Sequence, residues 1–254
     1  MRALYAAASG MAVQQTQLET VANNIANVGT TAFKRSDAAF EDLFYQELTY
    51  GGRAAGAPGV QVGTGARLAS MQVDHTAGTM THTGNDLHVA IKGNGYLAVQ
   101  TPEGDNLYTR DGRFNLDADG MLITGGGLPV AGNIMVPPDA QSIEITSDGT
   151  VRAVLAGDVQ PTVLGQLELV DFTNRSGLRS LGGNLYQQSP QSGEATVVEP
   201  GPNNGLVQGY LEGSNVDVAN ELVQMILTQR AYEMNSKVVQ AADDTLQVAV
   251  NLRR

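Results

Sequence analysis

The placement of helix-breaking residues constrains this chain more than any other feature. All nine prolines lie between Pro58 and Pro202, and 28 of the 30 glycines lie between Gly51 and Gly213. Both ends are therefore free to form long helices, whereas the middle is full of turn formers. The N-terminal zone predicts a helix from about Leu4 to Val28. In it Leu4, Ala8, Met11, Gln15, Leu18, Ala22 and Ile25 recur at spacings of four and three. That is a heptad seam with small or polar residues at three of its seven positions. Gly29 suits the left-handed position that closes a helix.

The C-terminal zone has no Gly or Pro after Gly213. Asp217 is a good N-cap, and Glu221 in the first turn favours the helix dipole. Leu222, Met225, Gln229, Tyr232, Ser236, Val239, Asp243, Leu246 and Val250 follow the same four-three spacing, with Ile226 beside them, to about Leu252. At 1.5 Å per residue the two helices would be about 37 Å and about 50 Å long.

The middle reads as antiparallel β-structure. Leu87-His88-Val89-Ala90-Ile91 alternates, and Gly93-Asn94-Gly95 turns the chain into Tyr96-Leu97-Ala98-Val99. Asp111-Gly112, Asp119-Gly120 and Asp148-Gly149 each sit between alternating runs, a strong hairpin signal. A further strand is expected over about 162–172. A Gly/Ala-rich stretch from Tyr45 to Gly65 reads as a mobile linker. The expected organisation is α+β: terminal coiled-coil helices, 1–34 and 214–254, forming a discontinuous helical domain, a linker or extension at 35–75, and a mainly antiparallel all-β domain at 76–213.

Composition narrows the function classes. Between Thr76 and Glu212 there are 15 acidic and six basic residues, a net of −9 and most of the chain's −11. That balance disfavours nucleic acid and anionic membrane surfaces as partners. Cysteine is absent, which removes disulfides, thiolate metal sites and Cys nucleophiles together. No apolar run approaches the ~20 residues that span a bilayer. The opening Leu4-Tyr5-Ala6-Ala7-Ala8 passes on a helical period into Gln14, Gln15 and Gln17, so it reads as a helix rather than a cleaved leader.

A heptad stripe is stable only when something covers it. The terminal helices could pair within one monomer. The thin seam, with Ala8, Gln15, Ala22, Gln229, Ser236 and Asp243 at core positions, fits close packing of many helices from several subunits better. Asn23, Asn24 and Asn27 add to this. Asn is a poor helix former, so three within so short a stretch imply specific hydrogen bonds, across helices or to a neighbouring loop.

At these residues the chain resembles the flagellar rod and hook family of axial proteins. The resemblance is carried by Ser9-Gly10-Met11, Val21-Ala22-Asn23-Asn24-Ile25-Ala26-Asn27-Val28 and Thr31-Ala32-Phe33-Lys34-Arg35 at one end. At the other it is carried by Gly213-Ser214-Asn215-Val216-Asp217 and Gln229-Arg230-Ala231-Tyr232-Glu233-Met234-Asn235-Ser236-Lys237. In the middle, Val89-Ala90-Ile91-Lys92-Gly93-Asn94-Gly95-Tyr96 and Tyr108-Thr109-Arg110-Asp111-Gly112 are similar to the β domain shared by hook and longer rod proteins. Phe40-Glu41-Asp42-Leu43-Phe44-Tyr45-Gln46 and Gln61-Val62-Gly63-Thr64-Gly65-Ala66-Arg67 resemble the distal-rod branch. Ala32 stands where the family usually has Gly, and the stretch from Tyr45 to Val60 is shorter than in that branch.

The resemblance implies a structural subunit of the basal-body rod that self-assembles into a helical tube and transmits torque from motor to hook. The expected partners are other copies of itself, proximal rod proteins, the hook protein, periplasmic and outer-membrane ring proteins and the flagellar export apparatus. Export without a cleaved leader, and ends that fold only on assembly, follow from the same resemblance. The alternatives are a proximal rod protein, or a secreted β-domain binding module on a coiled-coil stalk. The residues expected at the assembly interface are the seam residues and asparagines named above.

No catalytic constellation stands up, and neither cofactor nor metal is expected. His75, His82 and His88 are spaced seven and six apart, unlike the tight spacings of zinc sites. Asp117-Ala118-Asp119-Gly120 has its Gly two positions early for a calcium loop, with Leu128 where Glu should stand. Gly93-Asn94-Gly95 with Ala98 lacks the helix that a dinucleotide fingerprint needs. Ser180 lies outside any nucleophile-elbow pattern, and Asp243 and Asp244, adjacent on a helix, point to different sides.

Overall fold

The computed structural model describes residues 2–48, 60–156, 160–199, 201 and 204–251. The architecture is α+β, with a helix at each end of an antiparallel, strand-rich middle. Contacts divide the chain into two compact units. One comprises Met1–Ala26, Ser36–Val73 and Asp217–Arg254, the other Asn27–Arg35 and Asp74–Val216.

In the first unit, helix α1 spans Arg2–Ala26 and helix α2 spans Val218–Asn251. Asp217 caps α2 as its side chain should: Oδ1 accepts from Ala219 N at 3.0 Å and Asn220 N at 3.4 Å. The end of α1 differs from expectation. Gly29 is not left-handed; the left-handed residue is Ala32, at φ 56°, three positions further on. The 35–75 region is more regular than a linker. Strands Ser36–Asp42 and Ala66–Val73 pair antiparallel, with a register shift between Ala39 and Phe40, and Gln46–Leu48 pairs with Val60–Val62. The Gly/Ala-rich core of the expected linker, 49–59, lies outside the described residues.

The second unit is built on a six-stranded antiparallel sheet. Its order is Arg179–Gly182, Leu185–Gln187, Asn106–Thr109, Tyr96–Gln100, Leu169–Asp171, Thr196–Val197. A three-stranded sheet joins Ala140–Ile145, Thr150–Leu155 and Thr162–Gln166. Three antiparallel pairs complete it: Phe114–Leu116 with Leu122–Thr124, Val89–Lys92 with Gly205–Gln208, and Met80–His82 with Tyr210–Glu212. One core gathers Val89, Ile91, Leu97, Phe114, Leu122, Val130, Ile134 and Leu167; a second gathers Tyr96, Tyr108, Phe172 and Tyr186.

Two of the three Asp-Gly pairs make the hairpins expected of them. Gly120 and Gly149 take φ 77° and 87° between paired strands. Asp111-Gly112 does not: the strands it joins lie in different sheets. A Cβ at Gly112 would stand 1.7 Å from Val89 O, so this glycine serves close backbone approach rather than a turn. The single strand expected over 162–172 is two, Thr162–Gln166 and Leu169–Asp171. Leu167 between them is buried and donates its N–H to Gly149 O at 2.7 Å, which breaks the run.

Candidate functional site

The first unit presents a helix pair whose apolar surface exceeds what the pair itself covers. The inner face of α1 carries Ala7, Val13, Thr20, Val21 and Asn24, all buried. The expected seam runs along the flank of that face. Leu4, Met11, Leu18 and Ile25 are half-buried, while Ala8, Gln15 and Ala22 are exposed. Gly10 lets α2 approach closely, since a Cβ there would stand 3.0 Å from Asn235 Nδ2. On α2, Glu221 and Thr228 are buried and Met225, Ser236 and Val239 half-buried. Leu222, Ile226, Gln229, Tyr232 and Val250 are exposed; the side chain of Leu246 lies outside the described residues.

Sequence spacing missed a second stripe. Val223, Leu227, Met234, Val238 and Val248 are all exposed, Leu227 at 57%, Met234 at 67% and Val248 at 58%. At 100° per residue they share the side of α2 turned away from Glu221 and Thr228. From Val223 to Val248 the stripe is about 37 Å long. These residues are apolar surface that the helix pair itself leaves uncovered. The signal was available in the apolar residues at 223, 227, 234 and 238, although Arg230 on the same side interrupts the four-three series.

Of the three asparagines, Asn24 is buried and both ends of its amide engage Ser36. Nδ2 donates to Ser36 O and Oδ1 accepts from Ser36 N, each at 2.9 Å. It acts as a surrogate strand partner that starts the Ser36–Asp42 strand. Asn27 Oδ1 accepts from Thr30 Oγ1 at 3.1 Å, and Asn23 is exposed.

In the second unit, three distant charged residues meet in a buried triad. Glu212 Oε1 accepts from Lys34 Nζ at 2.6 Å and from Gly78 N at 2.9 Å, and its Oε2 accepts from Arg110 Nε at 2.8 Å. The side chains of Lys34 and Glu212 are wholly buried and that of Arg110 nearly so. Every arm is spent. Lys34 Nζ also donates to Thr76 O at 2.6 Å, and Arg110 donates to Gly95 O at 2.7 Å and Gly93 O at 3.0 Å. The Gly93-Asn94-Gly95 turn thus holds a guanidinium, not a phosphate. Burial pushes the Glu212 carboxyl up, but Arg110 and Lys34 outweigh it and hold the group below its ordinary value. Burial lowers Lys34, against the attraction of Glu212.

The histidines do not converge. His75 Nδ1 lies 2.8 Å from Tyr96 Oη, His82 packs on Tyr210, and His88 Nδ1 lies 2.8 Å from Thr83 Oγ1. Among the described residues no cluster of three or more His, Asp or Glu could hold a metal ion.

Comparison with known proteins places this geometry. A family model described as "Flagella basal body rod protein" matches residues 4–34, "Flagellar hook protein FlgE/F/G D1 domain" matches 90–153, and "Flagellar basal body rod FlgEFG protein C-terminal" matches 207–252. The chain is 46% identical over 252 residues to the flagellar basal-body rod protein FlgG of Agrobacterium fabrum, covering 96% of each chain. The chain belongs to the flagellar basal-body rod protein family. It is 45% identical over 251 residues to FlgG of Buchnera aphidicola from Acyrthosiphon pisum, again covering 96% of each. Against the rod protein FlgF of Escherichia coli the identity is 34% over 252 residues. Each of the three rod-family matches contributes one member of the triad: Lys34 closes the first, Arg110 lies in the second and Glu212 in the third. Membership places the chain in the flagellar basal body as a structural rod component that assembles with other basal-body parts. Among the described residues no helix is long and apolar enough to cross a membrane.

Proposed function

We propose that this chain is a distal-rod subunit that polymerises through its terminal helices into a helical tube and carries torque from motor to hook. The observation that carries this reading is the exposed apolar stripe of α2, opposite the face that Glu221 and Thr228 bury. The partly covered seam of Leu4, Ala8, Met11, Gln15, Leu18, Ala22 and Ile25 on α1 is its natural complement in a neighbouring copy. So are Leu222, Met225, Ile226, Gln229, Tyr232, Ser236, Val239, Leu246 and Val250 on α2. Higher identity to relatives named FlgG than to FlgF supports the distal rather than the proximal rod.

In this reading the chain has no catalytic role. It contacts proximal rod proteins below, the hook protein above, ring proteins around it and the export apparatus during delivery. The acidic β domain faces the rings, where like charge and hydration limit sticking. The test is far-UV circular dichroism of the full-length monomer before and after assembly, with electron microscopy of the product. Helix signal that rises together with rods supports it. A monomer already fully helical, and unable to polymerise at any concentration, favours the β-domain binding module on a helical stalk.

A further inference from the structure

The 27–35 segment folds as part of the second unit and is held there by five named bonds. Ala32 N donates to Glu212 O at 2.8 Å, Arg35 N to Asn215 Oδ1 at 2.8 Å, and Asn184 Nδ2 to Thr31 O at 2.7 Å. Arg35 O accepts from Asp74 N at 2.9 Å, and Lys34 Nζ donates to Thr76 O at 2.6 Å. The last two fall on either side of His75. Its ring packs edge-on against Tyr96 and Tyr186, with centroids 6.0 and 5.4 Å apart.

We infer that His75 and the Lys34–Glu212–Arg110 triad form an acid-sensitive clasp on the 27–35 segment, closed while His75 is neutral and opened when it is protonated. The surroundings require this. Lys34 on the clasped segment, Arg110 after the Asn106–Thr109 strand and Arg175 after Leu169–Asp171 all present cations to His75. Against them stands Asp74, which Arg35 pairs at 3.5 Å; Glu212 is divided between Lys34 and Arg110, and Asp171 is taken by Arg175. Tyr96 and Tyr186, both raised by burial, offer no charge at neutral pH. A proton on His75 adds a fourth cation beside Lys34, Arg110 and Arg175, whose facing carboxylates are already paired.

Burial, then Lys34, Arg110 and Arg175, hold His75 down at about 4, against an ordinary value of 6.5. For a depressed histidine the closed state is fully favoured above the ordinary value and loses ground as pH falls below it. Between pH 7 and pH 5 the closed-to-open ratio should fall about 20-fold. Glu212 and Asp74 are held below their ordinary carboxylate values, so their own losses come at lower pH.

The test is amide hydrogen exchange on the full-length chain at pH 7 and pH 5, corrected for intrinsic rates. Protection of the Ala32 and Arg35 amides should fall about 20-fold, and that of Tyr96–Gln100 much less. Unchanged protection at Ala32, or a loss spread evenly over the whole unit, overturns the clasp. His75→Gln should remove the pH step, and a step that persists in that variant overturns it too. Should that variant fail to fold, nuclear magnetic resonance of the wild-type histidine rings decides. His75 neutral at pH 5 is expected, and titration near 6.5 contradicts the inference.

Discussion

Lys34 and Glu212, 178 positions apart in the chain, share a fully buried ion pair at 2.6 Å, with Arg110 on the carboxylate's other oxygen. The pair joins the segment that follows α1 to the segment that leads into α2, both inside the second unit. Removing one partner leaves the others buried with their charge uncompensated. Glu212→Gln should therefore cost about 3–5 kcal/mol, read from the urea midpoint of the β unit. Arg67→Gln breaks the exposed pair with Glu41 and should leave that midpoint in place.

Ala32 is buried completely and left-handed. A residue with a Cβ gives up about 1–2 kcal/mol in that conformation, which gives a physical reason for the Gly that the family resemblance leads one to expect there. Ala32→Gly relieves the strain but loses a buried methyl worth about 0.8 kcal/mol. The net change should be under about 1 kcal/mol. Ala32→Val adds bulk and β-branching at the same φ and should cost about 3 kcal/mol or more. Thermal unfolding of the two variants side by side checks the contrast.

Gly112 and Gly104 make a second contrast. A Cβ at Gly112 would collide with Val89 O, whereas Gly104, at φ 94°, faces open space. Gly104→Ala should lose about 1–2 kcal/mol through backbone strain alone. Gly112→Ala should lose about 3 kcal/mol or more, because Val89 cannot retreat without opening the Val89–Lys92 and Gly205–Gln208 pair. Denaturant midpoints of both variants distinguish the two mechanisms.

Asp217 starts α2 through two backbone N–H groups. Asp217→Ala should cost the helix about 1 kcal/mol. If α2 forms on assembly, that loss appears as a critical concentration raised about fivefold. Pelleting assays over a concentration series measure it, and the β unit's own midpoint should not move.

What the residues revealed in advance was local. Four-three spacing located α1 and α2, Asp217 was legible as a cap, and Asp119-Gly120 and Asp148-Gly149 were legible as hairpins, because each signal lies within a few residues. Asp111-Gly112 carries the same letters for a different reason, and only Val89 in place above it shows which. The triad was invisible because its members are far apart in sequence and because Lys, Arg and Glu ordinarily read as solvated. The outer stripe of α2 escaped because one seam was enough to account for the helix. Ala32 stood out only by resemblance; its φ supplies the cause.

The most direct test of self-assembly through α2 is a pelleting and electron-microscopy comparison of the full-length chain with the Leu227→Asp, Met234→Asp double variant. Both positions are exposed and face away from α1's side of the helix. The wild-type chain should form rods, and the variant should stay in solution with the β signal of its circular dichroism spectrum unchanged. A variant that pellets into the same rods at the same concentration would contradict the account.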